Sequence, residues 1–431
     1  MKYYLAIDIG ASSGRHIVGW QEGVELKTQE VYRFPNGMKS SSHGLVWDTD
    51  EIFSHIKAGI KAAVQQFGKI QSLAIDTWGV DYVLMKDCEI VRPHYAYRNA
   101  RTERTVAMVH ALVPFEELYT RTGIQFASFN TIYQLYADKL SGRLDGVTDF
   151  LMLPEYFAYL LTGVKRKEYT MATTTGLVNA KMRAFDGEMI SRLGFPNIFP
   201  SLFTTGTTVG ALKQEISEEV GGQIEVKLCA SHDTACAFEA VDCLADALIL
   251  SSGTWSLLGA KIEKANTSES SRQCNFTNEG GVGYVRYLKN IMGMWLVNGI
   301  VKKHALSFPD AVELAEQSSY TQLFDVNDAS LSAPEDMETA VRTLLKHDPP
   351  QTLGDVLNSV YHSLAESYRL AVEEIEQALG RSFSKLYIVG GGAKHGYLNR
   401  LTQEYTGKHV IALPIEATAI GNLQCQMTEK V

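Results

Sequence analysis

The chain has 431 residues, of which 45% are hydrophobic and 21% are charged, so it is too long for one compact core and too apolar to be disordered. Its formal net charge of -9 at pH 7 argues against a nucleic-acid partner, and a phosphate site has to use backbone amides, a metal ion or a few placed cations. The six cysteines form no CxxC pair, so neither a zinc site nor a disulfide framework is predicted.

The sequence predicts no contact with a membrane. No stretch reaches the roughly 20 consecutive apolar residues that a membrane-spanning helix needs. The apolar run at the N-terminus ends at Asp8, which makes it too short for a signal peptide. We therefore expect a cytoplasmic protein of two domains with reduced thiols.

The first predicted elements alternate between strands and a helix. Residues 4–10 predict a buried strand, which a turn of small residues joins to a second strand at 15–20. A helix is predicted from about residue 50 to 67, and a strand follows at 70–75. This alternation is typical of an α/β layer.

Residues 100–200 have a mixed character that indicates an insertion carrying substrate contacts. Helical periodicity at 102–118 and 131–140 is interrupted by polar, turn-rich segments. A short strand near residue 228 then leads through a loop into a helix that ends near 241.

The strand, glycine turn and strand of the first segment recur at residues 247–262. One duplication of an α/β unit explains this recurrence better than a solenoid, whose repeat is about 20 to 50 residues long. We predict an N-terminal domain at residues 1–242 and a C-terminal domain at residues 243–431, which close about a segment near 240–246.

Two glycine-containing turns have the composition of phosphate-binding loops. After Asp8, the small residues at 10–14 allow backbone N–H groups and hydroxyls to approach phosphate oxygens, and Arg15 adds a cation. Asp8, at the end of a strand, is placed to hold Mg²⁺ through water. The alternative is a hairpin turn in which Asp8 accepts backbone hydrogen bonds. A matched turn at 251–254 favours the phosphate interpretation, because such a pair is typical of the actin-like ATPase architecture.

A third glycine cluster, at residues 390–392, follows a predicted strand and precedes a helical stretch at 397–405. Its spacing to Gly396 does not form the GxGxxG dinucleotide fingerprint, and the chain contains no P-loop motif. The functional interpretation is a nucleotide site at a strand-to-helix turn, and the alternative is close packing of strand and helix.

Asp233 is the candidate general base, because a carboxylate near a sugar hydroxyl orients and deprotonates it during phosphoryl transfer. Its alternative role is the N-cap of a helix that starts at Thr234. The neighbouring His232 is able to hydrogen-bond a sugar, although a single histidine is often structural. Residues 78–81 and 97–101 have the aromatic, glycine and polar composition of a sugar site, but such aromatic residues are more often part of the core.

Several motifs, in this order along the chain, make it similar to the rhamnulokinase branch of the FGGY carbohydrate kinases. They include AIDIGASSGR, LAIDTWGVDYVLM, YTMATTTGLVN, ASHDTACA, LSSGTWSLLG, TNEGG and YIVGGGAKHGYLNRL, and the resemblance extends from residue 4 to about 422. It implies an α/β fold of two duplicated actin-like ATPase (ribonuclease H-like) domains with a central cleft.

The resemblance further implies ATP-dependent phosphorylation of L-rhamnulose at its 1-hydroxyl, with Mg²⁺, in L-rhamnose breakdown by a monomer or homodimer. Asp233 would be the proton acceptor. The family's nucleotide contacts correspond to Ala11, Ser12, Ser13, Gly14, Arg15, Thr254, Asn298 and Gly391. Its sugar contacts correspond to Gly79, His232, Asp233, Thr234 and Asn290.

Two other functions stay open at this point. One is another FGGY kinase that acts on fuculose, xylulose or glycerol. The other is a nucleotide-responsive binding protein of the actin type, although the base at 233 and the lack of a separate peptide-binding domain argue against it.

The sequence departs from the family pattern at three places. Asn298 stands where relatives have a glutamine, which is one methylene longer, and Asn99 stands where many sugar kinases have an aspartate. The chain also ends at Val431, whereas family members continue with a further helical region. We expect such a truncation to expose apolar surface on the second domain and to weaken an adenine pocket beside Gly391.

Overall fold

The structure is a computed structural model that describes residues 1–241, 246–413 and 416–428. Its residues form two compact units. The first comprises Met1–Ala240, Ile262–Arg286 and the C-terminal residues from Thr418, and the second comprises Val241–Lys261 and Tyr287–Ala417. The predicted domain boundary after residue 242 lies outside the described residues, as do residues 242–245 of the closing segment predicted near 240–246, and both stay predictions.

The strands and helices have the following bounds. The strands are β1 Tyr3–Ile9, β2 Ser13–Glu22, β3 Glu25–Pro35, β4 Lys39–Ser41, β5 Gly44–Val46, β6 Ile70–Thr77, β7 Tyr82–Lys86, β8 Glu89–Val91, β9 Asp149–Met152, β10 Val178–Asn179, β11 Ala184–Phe185, β12 Thr208–Ala211, β13 Glu225–Lys227, β14 Ala247–Ser252, β15 Trp255–Ile262, β16 Thr277–Gly280, β17 Val285–Met292, β18 Lys385–Val389 and β19 His409–Ala412. The α-helices are α1 Thr49–Phe67, α2 Thr105–Leu112, α3 Phe115–Thr122, α4 Thr131–Leu140, α5 Leu153–Thr162, α6 Tyr169–Thr173, α7 Gly187–Leu193, α8 Gln214–Val220, α9 Asp233–Glu239, α10 Glu269–Gln273, α11 Trp295–Lys303, α12 Phe308–Glu316, α13 Met337–Leu344, α14 Leu353–Leu379, α15 Gly396–Thr406 and α16 Ala417–Met427.

The first unit is built on a six-stranded sheet with the order β12-β13-β6-β1-β2-β3. The predicted hairpin is confirmed, because β1 pairs with β2 in antiparallel register and with β6 in parallel register. The predicted helix at 50–67 is confirmed as α1, which buries a stripe of apolar residues that includes Ile52, Ile56 and Ile60 at helical spacing. Asp48 caps this helix by accepting a hydrogen bond from the backbone N–H of Glu51.

The second unit repeats this arrangement. Strand β14 pairs antiparallel with β15 and parallel with β18, and β18 pairs parallel with β19. Strand β17 follows on the other side of β15. In each unit, the first strand of an antiparallel hairpin also pairs in parallel with a strand later in the chain. This shared pattern confirms the predicted duplication of an α/β unit.

The predicted helix at 102–118 is wrong as a continuous element. The chain forms two helices, α2 and α3, because Pro114 has no backbone N–H and disfavours helical geometry at Val113, whose φ is -135°. The predicted helix at 131–140 is confirmed as α4.

The last helix, α16, packs on the first sheet through buried polar contacts. Gln426 accepts a hydrogen bond from the Ser72 hydroxyl at 2.8 Å and donates to the Leu5 carbonyl at 3.0 Å. Within the described ranges, no helix has the length and apolar character needed to cross a bilayer. Among the same residues, the cysteines at 88, 229, 236, 274 and 425 are free thiols.

Candidate active site

Two carboxylates meet at the carboxyl ends of neighbouring strands. Asp8 and Asp76 are register partners on the parallel strands β1 and β6, so their side chains lie at the same edge of the first sheet. Asp76 is fully buried and Asp8 is nearly so. Arg15, on the antiparallel strand β2, lies 2.8 Å from the Asp8 carboxylate through both Nε and Nη2. Asp8 and Arg15, which the sequence predicts as a Mg²⁺ holder and a cation for phosphate, thus form a direct ion pair.

Asp76 is a buried carboxyl group whose charged form is disfavoured by its surroundings. Burial, the neighbouring Asp8 and Cys229 raise the pKa of Asp76 well above its ordinary value, although Asn422 opposes this by donating to Oδ2 at 2.6 Å. Within the described part of the chain, the buried Oδ1 of Asp76 has no hydrogen-bond partner. Clustered carboxylates with an unused oxygen fit a hard divalent cation such as Mg²⁺.

Buried thiols also lie beside this carboxylate. Ligand atoms of Asp76, Cys229 and Cys236 all lie within 4.8 Å of one another. Both thiols nevertheless donate to backbone carbonyls, Cys229 to Ile75 at 3.3 Å and Cys236 to Ala230 at 2.9 Å. Burial and contact with Cys229 raise the pKa of the Cys236 thiol well above its ordinary value, which favours the protonated thiol over a metal-binding thiolate.

Asp233 stands at the start of α9. His232 occupies the N-cap position and Asp233 is the first helical residue, so the expectation that Asp233 caps a helix starting at Thr234 is wrong by one position. Its Oδ1 accepts from the Thr234 backbone N–H at 2.5 Å and from the Thr234 hydroxyl at 3.1 Å. The local hydrogen bond expected of a cap therefore persists in a different geometry.

The two oxygens of Asp233 differ in their surroundings. Oδ1 faces the donors of Thr234 and lies 3.2 Å from His232 Nε2, whereas Oδ2 makes no hydrogen bond to the described residues. The side chain is 31% exposed. Burial of the site raises the pKa of Asp233, His232 opposes the rise, and the nearby Asp8 adds to it. A raised pKa and an unused oxygen are the properties of a proton acceptor.

His232 lies between two carboxylates. Its Nδ1 is 3.2 Å from Glu279 Oε2, and its Nε2 faces Asp233. Arg286, which is fully buried, lies 3.0 Å from the same Glu279 oxygen. Burial alone would raise the pKa of Glu279, but Arg286 and His232 outweigh it and hold that pKa at about 2.

Sequence reasoning missed Glu279 and Arg286. Glu279 belongs to the TNEGG segment, which contributed to the family resemblance but received no role. An acidic residue followed by two glycines was the available signal for its position.

Gly79 belongs to the same region as His232 and Asp233. The Thr77 backbone N–H donates to the Ser231 carbonyl at 3.0 Å, which ties the loop after β6 to the loop before α9. A Cβ at Gly79 would lie 3.1 Å from Thr174, so the backbone packs closely there. The next residue, Val80, has a φ of 67°, which is a strained conformation for a β-branched side chain and is typical of functional segments.

Trp78 belongs to the core, in agreement with the alternative given for this segment. Its ring centroid is 4.1 Å from that of Trp47, and both indole N–H groups donate to Asp81 Oδ2, at 2.9 and 2.6 Å. Burial raises the pKa of Asp81 to about 6 despite these hydrogen bonds. The indole rings therefore hold a buried carboxyl rather than forming an exposed platform.

Asn99, the second departure from the family pattern, has a structural role. Its amide nitrogen donates to the carbonyls of His43 and Leu45 at 2.9 and 3.0 Å, and its Oδ1 accepts from the Arg101 N–H at 3.1 Å. A carboxylate could not donate to those carbonyls. The amide at this position matches its local surroundings.

The first glycine turn is held in place from two sides. The Gly10 N–H donates to the Ser13 carbonyl at 2.9 Å, and Asn36 donates through its side chain to the Gly10 carbonyl at 2.8 Å. Any Cβ at Gly14 would collide with the Phe34 ring. Ser12 is exposed at the tip, with Ala11 and Ser13 half-buried beside it. The predicted phosphate-binding residues thus form a fixed turn directly after the strand that ends near Asp8.

The remaining predicted site residues belong to the second unit. Thr254 is exposed in the turn between β14 and β15. Gly390 has a φ of 82°, and a Cβ there would lie 2.9 Å from the Ser252 carbonyl oxygen, so its backbone approaches β14 closely. Gly391 is exposed with open space around it. Because β14 and β18 are parallel neighbours, the turns after them lie at one edge of the sheet. Asn290 on β17 and Asn298 on α11 are half-buried.

The duplicated sheets are consistent with the predicted class of phosphoryl-transfer enzyme, and the comparisons show that class. The chain belongs to the FGGY family of carbohydrate kinases. The family's N-terminal domain matches residues 3–238 and its C-terminal domain matches residues 248–429.

Within the family, the chain is similar to rhamnulokinases. It is 42% identical to the rhamnulokinase of Halalkalibacterium halodurans, over 99% of this chain and 93% of that protein. It is 34% identical to the rhamnulokinase of Bacillus subtilis, over 98% of this chain and 90% of that protein.

Solved structures confirm the actin-like ATPase fold. The ligand-bound xylulose kinase of Lactobacillus acidophilus superposes with a TM-score of 0.79 at 14% identity, covering 99% of this chain and 89% of that chain. The ADP complex of Plasmodium falciparum glycerol kinase gives a TM-score of 0.76 at 14% identity, covering 99% and 89%. At this identity the likeness concerns the fold alone.

Proposed function

We propose that this chain transfers the γ-phosphoryl group of ATP to the 1-hydroxyl of L-rhamnulose, giving L-rhamnulose 1-phosphate and ADP. The observation that carries the reaction type is the Asp233 carboxylate, which has one oxygen held by local donors and the other unused at a partly exposed position. The choice of sugar is supported by the similarity to rhamnulokinases. This reaction would belong to L-rhamnose breakdown.

Asp233 acts as the proton acceptor in this proposal. Its Oδ2 accepts a hydrogen bond from the sugar hydroxyl, orients the oxygen lone pair towards the phosphorus, and takes the proton as the new O–P bond forms. Gly79, His232, Thr234 and Asn290 are the proposed sugar contacts. Gly79 packs closely against Thr174, and His232 Nε2 lies 3.2 Å from the Asp233 carboxylate.

Asp8 is the proposed holder of Mg²⁺, through water, since Arg15 already engages one oxygen of that carboxylate. Mg²⁺, when bound, would neutralise phosphate charge beside Asp8. The backbone N–H groups and hydroxyls at 11–14 are the proposed donors to the phosphates, with the Arg15 guanidinium beside them. In the second unit, Thr254, Asn298 and Gly391 are the proposed nucleotide contacts, and the open space at Gly391 suits a bound group.

The proposal is tested by ADP release from purified protein with Mg²⁺ and ATP. Turnover should require a sugar, and L-rhamnulose should be preferred over L-fuculose, D-xylulose and glycerol. A preference for one of the other acceptors would remove the substrate assignment and keep the kinase. ATP turnover that no sugar stimulates, but that a protein partner does, would contradict the proposed reaction.

We also propose that the enzyme works in the cytoplasm as a monomer or a homodimer. The first expectation comes from the cysteine usage and from the lack of a predicted signal peptide or membrane span. The mass in solution, measured by light scattering during size-exclusion chromatography, distinguishes a monomer or a homodimer from larger assemblies.

A further inference from the structure

We propose that Glu279 and Arg286 are positioning residues that hold the His232 imidazole against Asp233. This inference rests on the proposed function, because it assigns a purpose to the surroundings of the proposed proton acceptor. Neither residue belongs to the sugar or nucleotide contacts that the family resemblance implies.

The contacts form one chain through the interior of the first unit. The Arg286 guanidinium is fully buried, donates through Nε to the Gly280 carbonyl at 2.9 Å, and lies 3.0 Å from Glu279 Oε2 through Nη2. Glu279 Oε2 in turn lies 3.2 Å from His232 Nδ1, and Arg286 Nη2 lies 3.3 Å from the same ring nitrogen. A guanidinium only donates, so Nδ1 accepts from Arg286, and the Glu279 carboxylate is the counter-charge that holds this guanidinium against the ring.

The contact at Nδ1 determines whether the ring carries its hydrogen on Nε2. Nε2 lies 3.2 Å from Asp233 Oδ1, and the ring has to carry a hydrogen on Nε2 to donate to that oxygen. Oδ1 thus has Nε2 beside it in addition to the N–H and hydroxyl of Thr234, which donate to it. Oδ2 is left to receive the proton of the sugar hydroxyl. The side chains at 279 and 286 thus act on the reaction only through His232.

A double-mutant cycle tests this dependence. The variants are Glu279→Gln, which keeps size but removes charge, His232→Ala, and the double variant, with kcat and KM measured for the sugar and for ATP. We expect Glu279→Gln to lower kcat about tenfold or more with an unchanged KM for ATP, since it removes the charge that holds Arg286, the donor to His232 Nδ1. In the His232→Ala background, the same change should cost nothing further. Glu89→Gln, at an exposed position of β8, is the matched control and should keep wild-type turnover.

A second variant guards against misfolding, because Glu279→Gln leaves the buried Arg286 without its counter-charge. Glu279→Asp keeps the charge but shortens the reach to Arg286, and it should also lower kcat in a protein with a near wild-type unfolding temperature. Losses that add in the double variant would overturn the inference, as would wild-type kcat in a folded Glu279→Gln or Glu279→Asp protein. Absence of turnover in the wild type with every sugar would instead refute the proposed function, and the inference with it.

Discussion

Replacing Asp233 by asparagine is the most direct test of the chemistry. The two donors of Thr234 face Oδ1, so the asparagine oxygen should take that place and the amide nitrogen should take the place of Oδ2. The group that faces the sugar hydroxyl then donates hydrogens and cannot accept a proton. Because general-base catalysis contributes roughly 10² to 10⁴ in rate, we expect kcat to fall by that factor, or about 3 to 5 kcal/mol in barrier height.

The same variant should leave the rest of the enzyme intact. The KM for ATP should stay near the wild-type value, because the proposed nucleotide contacts do not include this side chain. Its unfolding temperature at neutral pH should not fall, since the substitution removes a carboxylate whose pKa is raised by burial and by Asp8. Asp145→Asn, at an exposed loop position, is the control for the substitution itself.

The pH profile adds an independent check. Asp233 accepts a proton only when it is ionised, so wild-type kcat/KM should fall as the pH is lowered through its raised pKa. The residual turnover of Asp233→Asn should lack that dependence. Folded Asp233→Asn protein with a kcat within threefold of the wild-type value would refute the assignment of the base.

Three further changes test the packing that supports the site. Asn99→Asp should lower the free energy of unfolding by about 1 to 3 kcal/mol, measured by urea titration, because two backbone carbonyls lose their donor and face a carboxylate; an unchanged midpoint would contradict this. Gly390→Ala should cost about 1 to 3 kcal/mol in the same assay, because it forces a positive φ on alanine and brings its Cβ against the Ser252 carbonyl. Asn422→Leu should also lower the unfolding temperature, because it removes a hydrogen-bond donor to the Asp76 carboxylate. The loss should be larger at pH 8 than at pH 5, because the raised pKa of Asp76 favours its neutral form at lower pH. An equal loss at both pH values would count against that donor role.

Much of the fold could be predicted because its elements are local. The hairpins at residues 4–20 and 247–262 could be predicted because each consists of two apolar strands joined by small residues. Both are present as antiparallel strand pairs. Helix α4 follows from helical periodicity and begins and ends where predicted. The break at Pro114 was missed because the apolar periodicity continues across it, although the missing N–H interrupts the helix.

The sequence by itself determined the class of chemistry, because the two glycine turns, Asp8 at a strand end, Asp233 at a helix start and the motifs shared with the family are local patterns that can be read without the fold. Only the tertiary structure decided which oxygen of Asp233 is engaged and which charges meet in the interior. Glu279 and Arg286 reach His232 from strands far away in the chain. Such contacts depend on strand register and burial, which bring distant residues within hydrogen-bond distance and remove the water that would otherwise weaken their charges.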